Sequence, residues 1–414
     1  MTTVVPTVER SSPKMILVIA LLVAVFAAAI IDIVTPITLI DIANTFGILP
    51  GTASQLGAFN RIAAVITALL LGAFAFKFRY KTLVVIGILF IALCSIGLFF
   101  APTFQLAQLI YPLNGIGSVM IVVTAQTFIG QSYPLNKKAK AIGWVAAAGT
   151  LANAVGAPIV GYMADIVNWH SIFLWFMFPV AVASLIFVFI VFPFNLPEPQ
   201  LSIKKAPFMS GFKQVLTNKS AVACLVSAFL VNASVFGGMV FEVTFYRQLF
   251  SASPSFAALI GPTAGTAFIS LGAIVGGQIV NRVGRKRQTV ITVFSAGILT
   301  LLSYFVPGLW TRVALRWTAS ILGGAGVAAS INLMLEQVPK FRGTAMSLSS
   351  AFRGVGAAIG IAVGGEVLNF YVDPSIGFPA LGLTMVTFAV GAVLVYLFFA
   401  KDPFKTQLQS MQQH

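Results

Sequence analysis

Charged side chains are scarce in this sequence. Of its 414 residues only 8% are charged, while 58% are hydrophobic. Ordinary soluble domains contain about a quarter charged residues, so a soluble fold of this composition could not keep its surface hydrated. A bilayer-spanning helix, in contrast, needs about 20 mostly apolar residues. The composition therefore excludes a soluble protein and favours a multi-pass membrane protein.

Cysteine and histidine are almost absent. Cys94 and Cys224 lie inside apolar runs, and the histidines are His170 and His414. No disulfide, metal site or other cofactor is therefore expected. The sequence also contains no nucleophile–base motif and no phosphate-binding glycine loop. We therefore expect neither an enzyme nor a pump driven directly by ATP.

Positive charge is in excess, with a net charge of +15. The basic residues stand in short runs between apolar segments, as membrane topology requires, and they form no continuous basic face. We therefore expect no nucleic-acid partner.

Twelve apolar segments follow one another between proline and glycine breakers, and we number them helix 1 to helix 12. The first, which begins at Met15, is too long for a signal peptide and is expected to be retained. The predicted spans are 15–40, 53–76, 82–101, 104–131, 141–164, 171–193, 220–245, 255–280, 289–306, 312–335, 344–371 and 378–400.

Lysine and arginine are distributed unevenly among the connections. Most of the 25 lie in every second connection, as at 77–81, 137–140 and 282–287, whereas the opposite connections hold only Arg247 and Arg312. Positive residues remain on the cytoplasmic side of a membrane. This pattern predicts cytoplasmic termini, an even number of helices and insertion in the cell membrane.

The longest polar stretch lies at the middle of the chain and contains Pro197, Pro199 and Pro207. It predicts a cytoplasmic linker between two halves. The predicted domains are an N-terminal tail (1–14), a six-helix bundle (15–193), the linker (194–219), a second six-helix bundle (220–400) and a C-terminal tail (401–414).

Two pairs of breakers suggest that the halves are repeats. Gly72 and Gly277 each open a basic connection, Pro134 and Pro339 each precede another, and the same number of residues separates the members of both pairs. Parallel repeats are common in transporters, although coincidence is the alternative. We predict an all-α membrane protein of two pseudo-symmetric six-helix bundles.

The connection after helix 8 has the sequence GQIVNRVGRKR from Gly277 to Arg287. It resembles the glycine-aspartate-arginine-glycine-arginine signature of the major facilitator superfamily, with Asn281 in place of the aspartate. Gly277 is expected to allow close helix packing and Gly284 a tight turn. The resemblance implies cytoplasmic gating loops formed by Gly72, Lys77, Arg79, Gly277, Asn281, Arg282, Gly284 and Arg285.

Helix 5 carries a second resemblance. Its small residues and proline are similar to the antiporter signature of drug/proton exchangers in this superfamily; they are Gly149, Gly156, Ala157, Pro158 and Gly161. After it, Trp169, His170, Phe173 and Pro179 resemble a multidrug-exporter element that has arginine where His170 stands. Gly149, Asn153 and Gly156 are expected to form a small-residue face for a neighbouring helix, with a kink at Pro158.

Asp32 is the acidic residue placed most clearly inside a predicted span. A charge at that depth costs about 2.5 kcal/mol or more, so it requires a partner or a use. Arg61 on helix 2 lies at the same depth, roughly 12–14 Å from the outer end of its helix. Burial favours the neutral acid and Arg61 favours the carboxylate, a competition suited to proton coupling. A static ion pair that fixes helix packing is the alternative.

Other polar residues inside the spans are weaker candidates. Glu242, Glu366 and Arg353 are possible secondary charge sites, whereas Arg316 is expected to extend to the outer membrane surface. Tyr111 stands where the superfamily's helix 4 carries an arginine. The candidate cavity residues, which could instead bridge helices, are Asn60, Tyr111, Gln126, Asn153, Asn232 and Asn332.

The resemblance implies a secondary active transporter that acts by alternating access, and specifically a proton-coupled exporter (antiporter) of small amphipathic or cationic compounds. A superfamily carrier for a specific metabolite, by uniport or symport, is the alternative. A non-transporting receptor on the same fold is the third possibility. The expected partners are a small-molecule substrate, protons and the lipid bilayer, and a monomer is expected to be functional.

Overall fold

The computed structural model describes residues 15–74, 78–133, 135–192 and 208–402. The predicted tail 1–14, Lys77, Pro134, most of the predicted linker and nearly all of the C-terminal tail lie outside these residues. The side chain of Asn281 is also outside the description.

Within the described residues, twelve helices are long and apolar enough to cross a membrane, as the sequence predicts. In chain order, helix 1 to helix 12 span Met15–Ile37, Pro50–Leu71, Tyr80–Phe99, Phe104–Ile129, Gly143–Ile166, Trp169–Val191, Lys219–Phe250, Pro254–Val280, Arg285–Phe305, Leu309–Gln337, Gly343–Phe370 and Pro374–Phe399. The predicted fold class is confirmed.

Several boundaries differ from prediction for local reasons. Helix 1 ends at Ile37, soon after Pro36, and a separate helix, Leu39–Phe46, follows it. Proline removes a backbone N–H donor, which accounts for a break at this point. A second short helix, Phe208–Thr217, lies where the sequence predicts only a linker, and a 3₁₀ turn, Pro339–Phe341, precedes helix 11.

Two of the long helices contain a wide π turn, at Phe173–Met177 in helix 6 and at Leu259–Thr263 in helix 8. Pro179 lies two residues after the first turn and Pro262 lies inside the second, and the lost hydrogen bond favours this wider geometry. Helix 7 is interrupted after Met239 and resumes at Glu242. This interruption turns the Glu242 side chain inward.

Polar side chains cap the starts of several helices, at both ends of the molecule. Thr103, Asn168, Asn218 and Ser253 each accept a hydrogen bond from a backbone N–H in the first turn of the following helix, and Asp373 does so before helix 12. Such caps satisfy donors that a helix start leaves unpaired. The hydrogen bonds from Ser375 also lower the pKa of Asp373.

Equivalent helices pack in the same way in both halves. Helix 1 contacts helix 5 as helix 7 contacts helix 11, helix 2 contacts helix 4 as helix 8 contacts helix 10, and helix 3 contacts helix 6 as helix 9 contacts helix 12. This correspondence is the pseudo-symmetry that the repeated breakers predict.

The connections lie alternately at two ends of the bundle. The end with residues 38–49, 251–253 and 371–373 is called the Asp41 face, and the end with residues 78–79 and 338–342 is called the Arg285 face. Helix 2 packs against helix 11 and helix 5 against helix 8, and these are the main contacts between the halves.

Polar contacts join the halves at the Asp41 face. Arg247 binds Asp41 through two hydrogen bonds, Nη1 to Oδ2 at 2.6 Å and Nη2 to Oδ1 at 2.8 Å. Gln55 donates to Glu366 at 3.0 Å, and Asn369 donates to Thr52 at 3.1 Å. These hydrogen bonds between the halves all lie at this face. The structure is therefore a state in which the Asp41 face is closed.

The Asp41–Arg247 pair is expected to hold this face shut. Replacing Asp41→Asn should shift the equilibrium toward opening about tenfold, corresponding to about 1.4 kcal/mol, because a two-point charged contact is lost. Spin labels on Leu49→Cys and Val372→Cys, both exposed on this face, would report longer distances between the halves. Cys94 and Cys224 are buried and should not be labelled.

Asp373→Asn is the matched control for this experiment, because it makes the same chemical change on the same face and asparagine still caps a helix. The exchanged pair Asp41→Arg with Arg247→Asp should restore the closed distances. Unchanged distances in Asp41→Asn would show that the pair does not hold the face closed.

Candidate substrate and proton-coupling site

The predicted pair Asp32 and Arg61 lies at the centre of a polar cluster in the N-terminal half. Arg61 Nη2 is 3.6 Å from Asp32 Oδ2, so the structure brings the two side chains together as an ion pair. Asn60 donates to Asp32 Oδ1 at 3.0 Å, and Asn114 of helix 4 donates to the same oxygen at 2.6 Å. One carboxylate oxygen thus accepts from two amides, while the other faces the guanidinium.

Close packing of helix 4 on helix 2 brings these side chains together. A side chain at Gly115 would collide with the backbone of Asn60, so only glycine allows this approach. Ser118 donates to the carbonyl of Ala28 on helix 1 at 3.1 Å and to Asn114 at 3.4 Å. The amides are thereby held in place before any proton or ligand binds.

Asp32 is only partly buried. Its side chain is 23% exposed and that of Arg61 is 33% exposed, whereas Asn60 and Asn114 are buried. The carboxylate is therefore held by buried donors on one side and is open on the other. A group in this position can exchange a proton with water.

Arg61 also contacts the C-terminal half. Its guanidinium carbon lies 5.1 Å from the centre of the Phe236 ring on helix 7, a cation–π distance. Arg61 therefore touches the acid of one half and an aromatic ring of the other. Movement of the halves changes the surroundings of the Arg61 guanidinium, and with them its electrostatic attraction to Asp32.

A second charged pair lies in the C-terminal half. Arg316 Nε donates to Glu242 Oε1 at 3.2 Å, and the two side chains are only 11% and 10% exposed. Arg316 also lies 5.8 Å from the centre of the Tyr304 ring. The expectation that Arg316 extends to the membrane surface is therefore wrong, because the interruption of helix 7 brings Glu242 to it.

This pair lies at one end of a cavity of about 160 Å³ in the C-terminal half. Asn232 and Arg353 also line the cavity. Arg353 donates to two hydroxyl groups, from Nη2 to Ser330 at 3.2 Å and from Nε to Ser349 at 3.4 Å. The structure thus places two of the three predicted secondary charge sites, Glu242 and Arg353, at one cavity.

The remaining predicted polar residues have other surroundings. Glu366 is exposed and accepts from Gln55 at the Asp41 face. Asn153 and Asn332 donate to backbone carbonyls of their own helices, as Asn232 does. Two further candidates differ in burial: Gln126 is exposed and Tyr111 is buried.

The helix 5 motif makes contacts at one end and not at the other. A methyl group at Gly161 would lie under 3.0 Å from Ala258 and Ser255 of helix 8, and one at Gly156 would meet Ile30 of helix 1. A methyl group at Gly149 would meet no atom of the described part of the chain within 4 Å. The predicted small-residue face therefore holds for Gly156 and is wrong for Gly149. Helix 5 continues through Pro158, beside the fully buried Ala157.

Substitution of these two glycines tests the contact. Gly161→Ala should destabilise the closed state by about 1–3 kcal/mol, because helix 8 must move away. Gly149→Ala should be neutral or slightly stabilising, since alanine favours a helix. The measurement is the thermal unfolding temperature of the purified protein in detergent, and equal temperatures for both variants would contradict the close contact.

The predicted gating loop after helix 8 is only partly as expected. Gly284 has φ +91, a conformation that favours glycine, so the tight turn is present. Among the described residues, a side chain at Gly277 would meet nothing within 4 Å, so the expected close packing is not present there. Arg285 pairs with Glu336 of helix 10, whereas Arg79 and Arg282 are exposed. Gly72 lies within helical backbone.

Twelve spans in two equivalent halves, with an ionisable cluster inside each, are the arrangement of a carrier. The sequence model of the Major Facilitator Superfamily matches residues 19–314 and 263–414. The chain belongs to this superfamily. As a superfamily member it is a carrier of small molecules in a membrane and not an enzyme.

Relatives within the superfamily include drug-resistance proteins. Multidrug resistance protein 2 of Bacillus subtilis (strain 168) is 22% identical over 354 residues, covering 81% of this chain and 86% of that protein. The Methylenomycin A resistance protein of the same organism is 22% identical, covering 95% of this chain and 96% of that protein. These two relatives confirm the predicted resemblance to the drug/proton antiporter branch.

Other relatives have different names. A Probable sugar efflux transporter of Pasteurella multocida (strain Pm70) is 24% identical, covering 68% of this chain and 66% of that protein. Among solved structures, a mutant of the nucleoside transporter NupG superposes with a TM-score of 0.76 at 16% identity, covering 92% of this chain and 99% of that one. A bacterial homologue of the human lysosomal transporter Spinster, inward-facing and unoccupied, gives 0.73 at 14% identity, covering 92% and 95%. These likenesses show the fold.

Proposed function

We propose that this carrier is a proton-coupled exporter of small amphipathic compounds, and that Asp32 carries the proton. The observation that supports it best is the Asp32 cluster, in which one carboxylate oxygen is held by two amides and the other faces Arg61. The names of the drug-resistance relatives support the export direction.

In the proposed cycle, Arg61 couples the proton to the movement of the halves. Arg61 contacts Asp32 of its own half and Phe236 of the other half, so movement of the halves changes the surroundings of the acid. Substrate and proton then bind in different conformations, which is the requirement for exchange.

The proposed orientation places the Arg285 face in the cytoplasm of a cell membrane, with both termini on that side, because the basic connections lie there. The structure would then be the cytoplasm-facing state, closed outside by Asp41 and Arg247. We further propose that the halves comprise residues 15–193 and 220–400, joined through 194–219, and that a monomer is sufficient for transport.

A carrier for one specific metabolite is the second candidate. The sugar-transporter and nucleoside-transporter likenesses favour it, as does the ordered amide cluster around Asp32. Such a carrier would act as a uniporter or a symporter on a single compound.

Transport by the purified protein in sealed vesicles separates these functions. An exporter should move several unrelated amphipathic dyes, with movement that depends on an imposed pH gradient and with release of protons on substrate addition. Transport of a single compound and of none of the dyes would instead establish the second candidate. Absence of transport across a broad panel would overturn both and leave a receptor.

A further inference from the structure

The cavity in the C-terminal half carries an unbalanced positive charge. Glu242 and Arg316 neutralise each other at one end of it. Arg353 also lines the cavity, and across the described ranges no carboxylate forms an ion pair with it. Its hydrogen-bond partners, Ser330 and Ser349, are neutral.

Arg353 is well separated from the paired charges. Arg316 and Ser330, the hydroxyl partner of Arg353, lie fourteen residues apart on helix 10, which corresponds to roughly 20 Å along the helix. Glu242 is already paired with Arg316 at the far end. It therefore cannot serve as the direct counter-ion of Arg353.

A guanidinium in this position retains unused binding capacity. It has five N–H donors in a flat fork. In the described part of the chain, the two serine hydroxyls accept the single donor on Nε and one of the two on Nη2, which leaves three. Because a cation away from bulk water requires a counter charge, an anionic group entering the cavity would be bound strongly. A planar carboxylate or a sulfonate suits this fork.

The remaining walls of the cavity are mostly apolar. Val231, Val235, Ile269 and Val293 line it between the two charged regions. An apolar surface stabilises the hydrophobic body of a ligand, and the charged groups determine its orientation. The lining thus combines an apolar wall with one unpaired cation.

We propose that the cavity binds amphipathic organic anions, with the acidic group against Arg353 and the apolar body along helices 7 and 8. This assignment narrows the substrate class of the proposed exporter and rests on the proposal that it transports amphipathic compounds. It favours anionic over cationic substrates, because an added cation would lie near an unpaired arginine.

Three probes with one apolar body test the proposal: 2-naphthoate, 2-naphthylmethanol and 2-naphthylmethylammonium. Binding to the full-length purified protein would be measured by equilibrium dialysis. We expect 2-naphthoate to bind at least tenfold more tightly than the alcohol or the ammonium compound. Arg353→Gln should weaken 2-naphthoate at least tenfold and leave the alcohol within threefold, whereas Arg353→Lys should recover part of the loss.

Arg287→Gln is the matched control, because it removes one positive charge from an exposed position outside the cavity. It should leave 2-naphthoate binding within twofold, which would separate a local contact from a general effect of net charge. Equal binding of 2-naphthoate to wild type and Arg353→Gln would overturn the proposal, as would tighter binding of the ammonium probe to wild type.

The Asp32→Asn variant separates this proposal from the proposed function. If 2-naphthoate binding requires Arg353 and Asp32→Asn still transports in a proton-dependent way, the anion site is supported and Asp32 is excluded as the proton carrier. If proton-driven transport requires Asp32 but Arg353→Gln binds 2-naphthoate as tightly as wild type, the proposed exporter function is supported and the anion site is excluded.

Discussion

In sealed vesicles, the Asp32→Asn variant is expected to lose transport driven by a pH gradient almost completely. Asparagine retains the shape of the side chain but cannot take up and release a proton. The protein should still fold, because Arg61 is 33% exposed and its uncompensated charge is partly screened by water. The measurement is dye accumulation with an imposed pH gradient, together with proton release on substrate addition.

Asp165→Asn is the matched control for this experiment. It makes the same chemical change at an exposed position at the end of helix 5, away from the cluster. It should retain transport driven by the gradient. Full gradient-driven transport by Asp32→Asn would exclude Asp32 as the proton carrier and leave the static ion pair as its role.

Glu242→Gln is expected to reduce stability more than any other single charge removal described above. It leaves Arg316 buried without a counter charge, and breaking such a pair costs about 3–5 kcal/mol. The rate at which the purified protein unfolds at a fixed temperature in detergent should therefore rise sharply. Combining Glu242→Gln with Arg316→Gln should recover most of the stability, since both charges are then absent.

The matched control is Glu366→Gln. Glu366 is exposed and its partner is the neutral Gln55, so the same substitution should cost less than about 1 kcal/mol. Equal unfolding rates for the two single variants would contradict the account of a buried pair. A double variant as unstable as Glu242→Gln alone would show that the lost stability does not come from an unpaired Arg316 charge.

The fold could be predicted from the sequence because spanning helices must be long and apolar. The twelve segments and the equivalence of the halves follow from that constraint and from the spacing of Gly72, Gly277, Pro134 and Pro339. The helix Phe208–Thr217 was missed because it is short and follows a proline-rich stretch. The break before Glu242 does not follow from the sequence, because no proline marks it.

The site could be predicted where charge and depth are informative. Asp32 and Arg61 were paired because their depths match, and the structure places them 3.6 Å apart. Asn114 was missed because a neutral amide in a membrane helix gives no charge signal. The expectation for Arg316 fails because a position near a helix end is not always exposed to water: the interruption of helix 7 buries this side chain against Glu242.

The Asp41–Arg247 pair also makes the carrier sensitive to salt on one side of the membrane only. Asp41 is 29% exposed, so dissolved ions reach the pair, and the Debye length is about 8 Å at physiological ionic strength. Concentrated salt bathing the Asp41 face should speed opening, while the same salt on the other side should leave the pair unscreened. The opening rate at unequal ionic strengths across a vesicle membrane would therefore reveal the orientation of the inserted protein without any label.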